Sequence, residues 1–565
     1  MYISRTTRAL YTFTRTYVLP PHAHTSGSRT IMLPRIRRAI TNVLYPRLAL
    51  HPGQEADQNR PEQDWAEQHE EGRCDRSLED LPTELIAQTF EYFDADPPSN
   101  GPADIVRLCL VSKRLNAIAT PLLYREFHNL DSPRTLGRFV RTITQRPQLC
   151  KHIKNLCLMM WSDAPSTPPT PAERLAYLQA VVRVDIREVH LHSRLVRNLR
   201  VGSYDAQLTL LLLVASRTER LLISFDDKED GTGNKDYVGG DHEGTSLVLE
   251  MLQQCGEGWI EGVLTKVEQA TFLPAPCRNT SNPIPCETVG PFFALKSIQR
   301  FSASWLGMPT SRHRWLFTSS NIAHLRLHEC QLHTSAITAI VAACAALTSL
   351  SVSWHLVLRN LASGTEEPVY LDFRRIGQAL QKHARSLQYL KFDTFHHNDV
   401  IIMEPLTSLH EFTELRGLWV DNRLFYSDAD AVSPDAGNIG DLATTLDARL
   451  PPNLTTLTLF MLKSFTCFHQ LIKAVAEARA VEQGRLRTFT CTFPFTESRL
   501  TDRDQQVLDW FTAARVVRTP HVFTWSTDVW TDSLYSVEMV TNTFSVGCHM
   551  SVVLKGVAEY YQESF

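Results

Sequence analysis

The feature that most restricts this chain is a recurring apolar spacing in which two strand-like positions follow an anchor three residues upstream. Its fullest copy is Ile322-x-x-Leu325-x-Leu327-x-x-Cys330-x-Leu332. Shorter copies are Ile153/Leu156/Leu158, Ile186/Val189/Leu191, Leu347/Leu350/Val352, Leu387/Leu390/Phe392, Leu415/Leu418/Val420, Leu454/Leu457/Leu459 and Leu486/Phe489/Cys491. Degenerate copies lie near Leu221–Phe225, Val267–Phe272 and Leu295–Phe301. Alternation of apolar and polar residues is the period of a strand with one buried face. Most spacers between copies have helical composition: Ala172–Arg183, Gln207–Ser216, Ser246–Gln254, Ser335–Ala346, Asp372–His383 and Phe468–Glu482. Strand, helix, strand repetition with right-handed connections predicts a parallel sheet with helices outside it.

This pattern resembles the leucine-rich repeat. Successive starts lie about 25 to 43 residues apart, longer and less even than the strict repeat, so the resemblance implies an irregular solenoid. In such an array the residues between the apolar positions face the concave surface. They are His190, His192, His324, Arg326, His328, Ser351, Tyr389, Lys391, Trp419, Asp421, Thr458 and Thr490. Trp beside Tyr and Arg is a protein-binding composition. His324, Arg326, His328, Tyr389, Lys391, Trp419 and Asp421 are therefore the expected substrate-binding residues. The plainer alternative is ordinary solvated strand positions, with Trp419 covered by a neighbouring loop. A doubly wound α/β enzyme is the competing architecture, and no Gly-rich strand-to-helix turn supports it.

A different unit precedes the array. Leu81-Pro82-Thr83-Glu84-Leu85-Ile86 opens a helix: Pro82 suits a first turn and Glu84 suits the positive end of the helix dipole. Leu85, Ile86, Phe90 and Phe93 then form an apolar stripe. After a Pro/Gly-rich loop, a second helical run carries Ile105, Leu108, Val111, Leu115, Ile118 and Ala119, and Leu122–Phe127 closes the unit.

These residues resemble the F-box motif. Leu81-Pro82-x-Glu84-Leu85-Ile86 with Phe90 and Phe93 matches its opening, and Asp104-Ile105-x-x-Leu108-x-x-Val111-Ser112-Lys113 its middle. Ala119, Pro121 and Leu122-Leu123-Tyr124-Arg125 match an ending common in fungal members. Leu115 stands where many members carry Trp, and the first interhelix loop is long. The resemblance implies docking of a Skp-family adaptor, and through it a cullin, by Leu81, Pro82, Leu85, Ile86, Phe90, Leu108 and Val111. Packing inside the unit itself is the alternative role of the inner residues, above all Phe90, Leu108 and Val111.

Composition limits the remaining options. Of 565 residues 43% are apolar and 21% charged, which is globular and excludes a wholly disordered chain. A net charge of -4 gives no bulk preference for nucleic acid or anionic lipid. The longest near-apolar stretch, Ala336–Leu347, is too short to span a bilayer. The 12 cysteines form no C-x-x-C pair and read as reduced thiols. His190 with His192, and His324 with His328, share strand faces but lack further converging ligands, so no metal is expected. No phosphate-cradling G-x-x-x-x-G-K-[ST], H-E-x-x-H or G-x-S-x-G occurs, so no catalytic residue and no cofactor is nominated. The 61 acidic residues leave a glycosidase-type pair open.

The expected organisation is a basic arm (1–54, eight arginines and no acidic residue), an acidic linker (55–76), the F-box (77–128), the array (129–518) and a closing segment (519–565). Polar or irregular inserts fall near 226–244, 274–291 and 426–440, and the first fails the calcium-loop pattern. The expected function is a non-enzymatic substrate adaptor of an SCF-type ubiquitin ligase, cytoplasmic or nuclear despite the Arg-rich start, which would also suit a mitochondrial leader. An F-box scaffold outside ubiquitination, or an α/β enzyme with an accidental motif, are the alternatives.

Overall fold

A computed structural model describes residues 81–95, 101–129, 132–161, 168–226, 246–274, 283–307, 319–354, 369–394, 400–421, 424 and 449–460, and strands within 488–556. The basic arm, the acidic linker, the insert near 426–440 and the helix expected at 468–482 lie outside them.

Three short helices come first: α1 (Thr83–Ala95), α2 (Gly101–Cys109) and α3 (Lys113–Leu123). Ser112 starts α3, its hydroxyl accepting from the Leu115 N–H at 3.2 Å. Ile86, Phe90, Ile105, Leu108, Leu115 and Ala119 close a small core of their own, with Leu115 filling the position usual for Trp. The chain then runs directly into β1 (Glu126–His128), which pairs in parallel with β2 (Asn155–Trp161). Between them lies α4 (Pro133–Gln145), whose Phe139 stacks on Phe127 at 3.8 Å and on Tyr124 at 6.1 Å.

Three helices, α5 (Pro171–Val182), α6 (Val189–Val201) and α7 (Tyr204–Val214), precede β3 (Arg220–Asp226). The repeat copy expected at Ile186/Val189/Leu191 is therefore a helix, and His190 and His192 lie on α6, away from any strand. The reason is a competing period. Leu191, Leu195 and Leu199 recur every four residues and are all buried. Glu188 caps the first turn through the His190 and Leu191 N–H groups, and Gly202, at φ 79°, ends the helix.

The array continues through α8 (Leu247–Glu257), β4 (Gln269–Pro274), β5 (Ile284–Pro285), α9 (Gly290–Ala294), β6 (Arg300–Ser304), β7 (Leu306–Gly307) and β8 (His324–Cys330). Next come α10 (Thr334–Ala343), β9 (Ser349–Trp354), β10 (Val369–Asp372), α11 (Phe373–Leu380), β11 (Tyr389–Asp393) and β12 (Val400–Glu404). The last strands are β13 (Gly417–Asp421), β14 (Thr456–Phe460), β15 (Thr488–Phe495), β16 (Val522–Val529), β17 (Tyr535–Met539) and β18 (Val552–Gly556).

Twelve strands form one open sheet, β1-β2-β3-β4-β6-β8-β9-β11-β13-β14-β15-β16, paired in parallel throughout. The register puts the first strand-like apolar position of each copy in a single row. From β2 it reads Leu156, Leu221, Ala270, Phe301, Leu325, Leu350, Leu390, Leu418 and Leu457, none more than 2% exposed. The next row inward reads Leu158, Ile223, Phe272, Ala303, Leu327, Val352 and Phe392. Where one row has Ala270 then Phe301, the other has Phe272 then Ala303. Volume is conserved across the two degenerate repeats, which keeps the interior close-packed. Phe292 and Phe293 of α9, directly after the stretch expected to be an irregular insert, complete this layer; Phe293 meets Phe301 edge-on at 5.3 Å.

Candidate functional site

The F-box unit places its expected adaptor residues in two environments. Ile86, Phe90 and Leu108 are at most 1% exposed and fill the unit's own core, which corrects their assignment to an adaptor-facing surface. A unit of three short helices needs its largest apolar groups inside to hold together at all. Pro82 is exposed, Leu81 and Leu85 are half-buried, and Val111 is 62% exposed. Arg114 donates to the Leu81 carbonyl at 2.8 Å, tying the start of α1 to the start of α3. That bond holds Pro82 and the α2–α3 turn at one end of the unit. Leu110 at 82% and Val106 at 43% exposure extend the apolar surface there, and motif matching missed both. They lie four apart, Val106 on α2 and Leu110 in the turn that follows it, off the buried Ile105/Leu108 stripe. Apolar residues off the core stripe were the available signal.

The joint between unit and array is buried and polar. Asn129 accepts from the Met159 N–H at 2.6 Å and donates to the Met159 carbonyl at 3.2 Å, so its side chain continues the β1–β2 ladder past the end of β1. It also donates to the Tyr204 hydroxyl, which in turn donates to the Met159 carbonyl at 2.7 Å. Burial pushes the Tyr204 phenol well above its ordinary pKa.

On the open face of the sheet the expected residues fall into three groups. His324 and Arg326 are exposed and line a depression of about 230 Å³ together with Arg300, Ser302, Ser349, Ser351 and Gln269. Burial, then the charge of Arg300, hold the His324 imidazole below its usual value. Arg300 was missed because its repeat is degenerate, although Arg300-Phe301-Ser302-Ala303-Ser304 alternates cleanly.

Tyr389 and Trp419 form the second group, their rings 6.1 Å apart and inclined by 31°. Gly417 makes this possible. It pairs with Tyr389 in the register and lies two residues before Trp419 on the same face, and a Cβ there would stand 2.6 Å from the indole. The ring therefore lies back over the glycine, and Trp419 is half-buried, held by the sheet itself.

The third group is turned inward or engaged. Asp421 is fully buried and accepts from the Thr394 hydroxyl at 2.7 Å, which removes it from the expected binding face. A buried carboxylate needs such partners, and Thr394, directly after β11, supplies one. Lys391 pairs with Asp393 at 3.2 Å. His328 meets Ser353 at 2.9 Å and Glu329 at 3.2 Å, beside a bulge where Glu329 has φ 52°. Thr458 is buried, and the side chain of Thr490 lies outside the described residues.

Among the described residues one trio of possible metal ligands converges: Glu188, His190 and Glu250. Glu188 already caps α6 with both oxygens, and Glu250 pairs with Arg194. A cation there would compete with that guanidinium and those N–H groups. No described helix is long and apolar enough to cross a membrane.

Strand rows, outer helices and a helical preface define a repeat solenoid preceded by a helical unit with a core of its own. The family model of the leucine-rich repeat domain matches residues 134–445, and the chain belongs to that family. An F-box-like model matches residues 78–130, so this is an F-box protein with C-terminal leucine-rich repeats. No curated relative matches the chain.

Proposed function

We propose that the chain is a substrate-recognition subunit of an SCF-type ubiquitin ligase. The F-box docks a Skp-family adaptor, the adaptor links it to a cullin, and the open sheet face holds a protein substrate. The chain makes and breaks no covalent bond in this role. It raises the effective concentration of a substrate lysine near the conjugating enzyme.

One observation supports this reading above the others. The F-box leaves Leu110 and Val111 exposed while its last helix runs directly into the first strand of the array. A tether works best when the docking unit and the substrate face keep a fixed geometry, because a loose joint dilutes the effective concentration. The stacked Tyr124, Phe139 and Phe127 rings stiffen that joint. Seven described cysteines are thiols, which agrees with action in a reducing compartment, cytoplasm or nucleus.

The test is co-purification with a Skp-family adaptor, comparing wild type with Leu110→Glu/Val111→Glu and with Leu81→Ala/Pro82→Ala. Stoichiometric capture by the wild type, lost in the first variant without a change in melting temperature, is the expected result. A folded wild-type chain that captures no adaptor ends this reading.

A further inference from the structure

The described cysteines divide by what their sulfur meets. Cys150, Cys330 and Cys344 donate to backbone carbonyls at 3.8, 3.3 and 3.4 Å, and Cys255 meets the Met251 sulfur at 3.5 Å. Burial pushes all four thiols above their ordinary pKa, so their protons stay on sulfur. Cys157 differs, because its side chain shares a hydrogen bond with the His128 imidazole. An imidazole can take the thiol proton outright, which a carbonyl cannot.

The strand ladder builds this contact. His128 on β1 stands opposite Cys157 on β2, and Glu126 stands opposite Asn155. Residues two apart share a sheet face, so all four side chains lie on the open side of the first two strands. The Glu126 carboxylate approaches His128 Nε2 at 3.5 Å, and Asn155 donates to the same carboxylate. His128 thus stands between a carboxylate and a thiol, the order of orienting group, base and nucleophile. Among the described residues the three do not form a converging ligand trio, so they suit a proton relay rather than a metal ion. Burial works against a charged imidazole, but the bonds to Cys157 and Glu126 outweigh it and push His128 above the ordinary histidine pKa. The bond to His128 is also the leading cause that keeps the Glu126 carboxyl below its usual range. The other charged groups at hand are Arg125, which also lowers Glu126, and Arg220 on β3, diagonal to Cys157. Both favour negative charge on the sulfur. Lys154 and Glu219, just before β2 and β3, neutralise each other at 2.8 Å. Cys157 is half-buried and the His128 side chain is 48% exposed, so a small solute reaches the pair.

We propose that Cys157 is a peroxide-reactive thiol, a modification site in which His128 takes the thiol proton and Glu126 holds the imidazole in place. The sulfur attacks one oxygen of hydrogen peroxide. An S–O bond forms and the O–O bond breaks. The departing hydroxide takes the proton from His128 and leaves as water. Sulfur is oxidised by two electrons to a sulfenic acid, and the peroxide is reduced by the same two. The modified sulfur stands two residues from Met159, whose backbone groups hold Asn129 at the joint with the F-box. The proposal does not depend on the ligase reading.

The reduced full-length chain is treated with hydrogen peroxide in the presence of dimedone, which traps sulfenic acids, and the label on each cysteine is followed by mass spectrometry. The expected result is trapping at Cys157 about tenfold or more faster than at Cys109 and Cys150. Those two are half-buried like Cys157, and burial raises their pKa. Iodoacetamide labelling of Cys157 persists at pH 6, where the two reference thiols are nearly silent. His128→Gln slows Cys157 about tenfold and removes its labelling at pH 6. Glu126→Gln has a smaller effect in the same direction, and Cys157→Ser abolishes the label. His128 and Glu126 are exposed, so both variants keep the wild-type melting temperature, which separates lost reactivity from lost structure. Trapping at Cys157 no faster than at the reference thiols overturns the proposal. So does a rate and pH profile that His128→Gln leaves unchanged. The comparison of cysteines within the wild-type chain decides by itself where a variant folds poorly.

Discussion

The F-box and the repeat array solve the same burial problem at different scales. The F-box closes six apolar side chains into its own core and leaves Leu110 and Val111 in solvent. The array runs a single core from Phe127 to Leu457, each repeat covering the next. A repeat cannot bury its apolar face alone, so stacking makes the array's stability collective. A small helical unit has little stability to spare, and its exposed apolar end is free to meet a partner. One region therefore shares a core with its neighbours, while the other keeps a separate core and offers part of its apolar surface outward.

The largest expected effect separates the two regions. Phe301→Ala and Phe90→Ala each remove a buried phenyl ring, at a nominal cost of about 3–5 kcal/mol. In the array that loss spreads through stacked repeats, and the main thermal transition moves down. In the F-box the loss stays local: adaptor binding disappears while the array transition, followed by calorimetry, keeps its position. If Phe90→Ala lowers the array transition as much as Phe301→Ala does, the two cores are one cooperative unit.

The joint comes next. Asn129→Ala leaves the Met159 N–H and carbonyl without that partner, at a cost of roughly 2–3 kcal/mol. Hydrogen exchange of the β1 and β2 amides should accelerate, with little change near β9 and β11. Uniform exchange across the sheet would contradict a localised joint.

A pH effect of similar or smaller size sits in the array. His383 is fully buried, accepts from the Leu347 N–H at 3.1 Å and meets the Val341 carbonyl at 3.2 Å, so its neutral form is the one these partners fit. Burial pushes its pKa below the ordinary histidine value despite the bond to Val341. The unfolded chain then takes up a proton that the folded chain refuses. Stability is fully present above about pH 6.5 and declines as pH falls below it toward the folded value. His383→Leu removes that decline and costs about 1–3 kcal/mol at neutral pH. Melts at pH 5.5 and 7.5 measure both; an unchanged pH slope in the variant sinks the assignment.

The smallest effect tests the open face. Gly417→Ala forces the Trp419 indole off its glycine seat, costing about 1 kcal/mol because the ring can swing outward. Tryptophan emission should shift to the red as the ring moves into solvent.

Much of this was legible beforehand for a physical reason. Leu156, Leu325, Leu350, Leu390, Leu418 and Leu457 advertise themselves through alternation with polar neighbours, and each lies in the buried row. The first F-box helix was legible too, through Pro82 and its apolar stripe, but the single run expected from Ile105 to Ala119 is two helices, broken where Ser112 caps α3, and α3 carries Pro121 inside it. The copy at Val189 misled because a run of leucines every four residues outweighs a strand pattern only six residues long. Asp421 misled because alternation assigns a face without saying whether Thr394 will reach across to cover it.

Element type and facing were decided by the sequence alone, since periodicity is a property of neighbouring residues. Which polar residues meet was decided by tertiary structure. Arg300 reaches Arg326's neighbourhood, and Trp419 settles against Tyr389, through registers fixed by packing across spacers of unequal length. Loop length costs little free energy, so the spacing of copies along the chain carries almost no information about that register. The shared core, in which each buried row must align with the next, sets it.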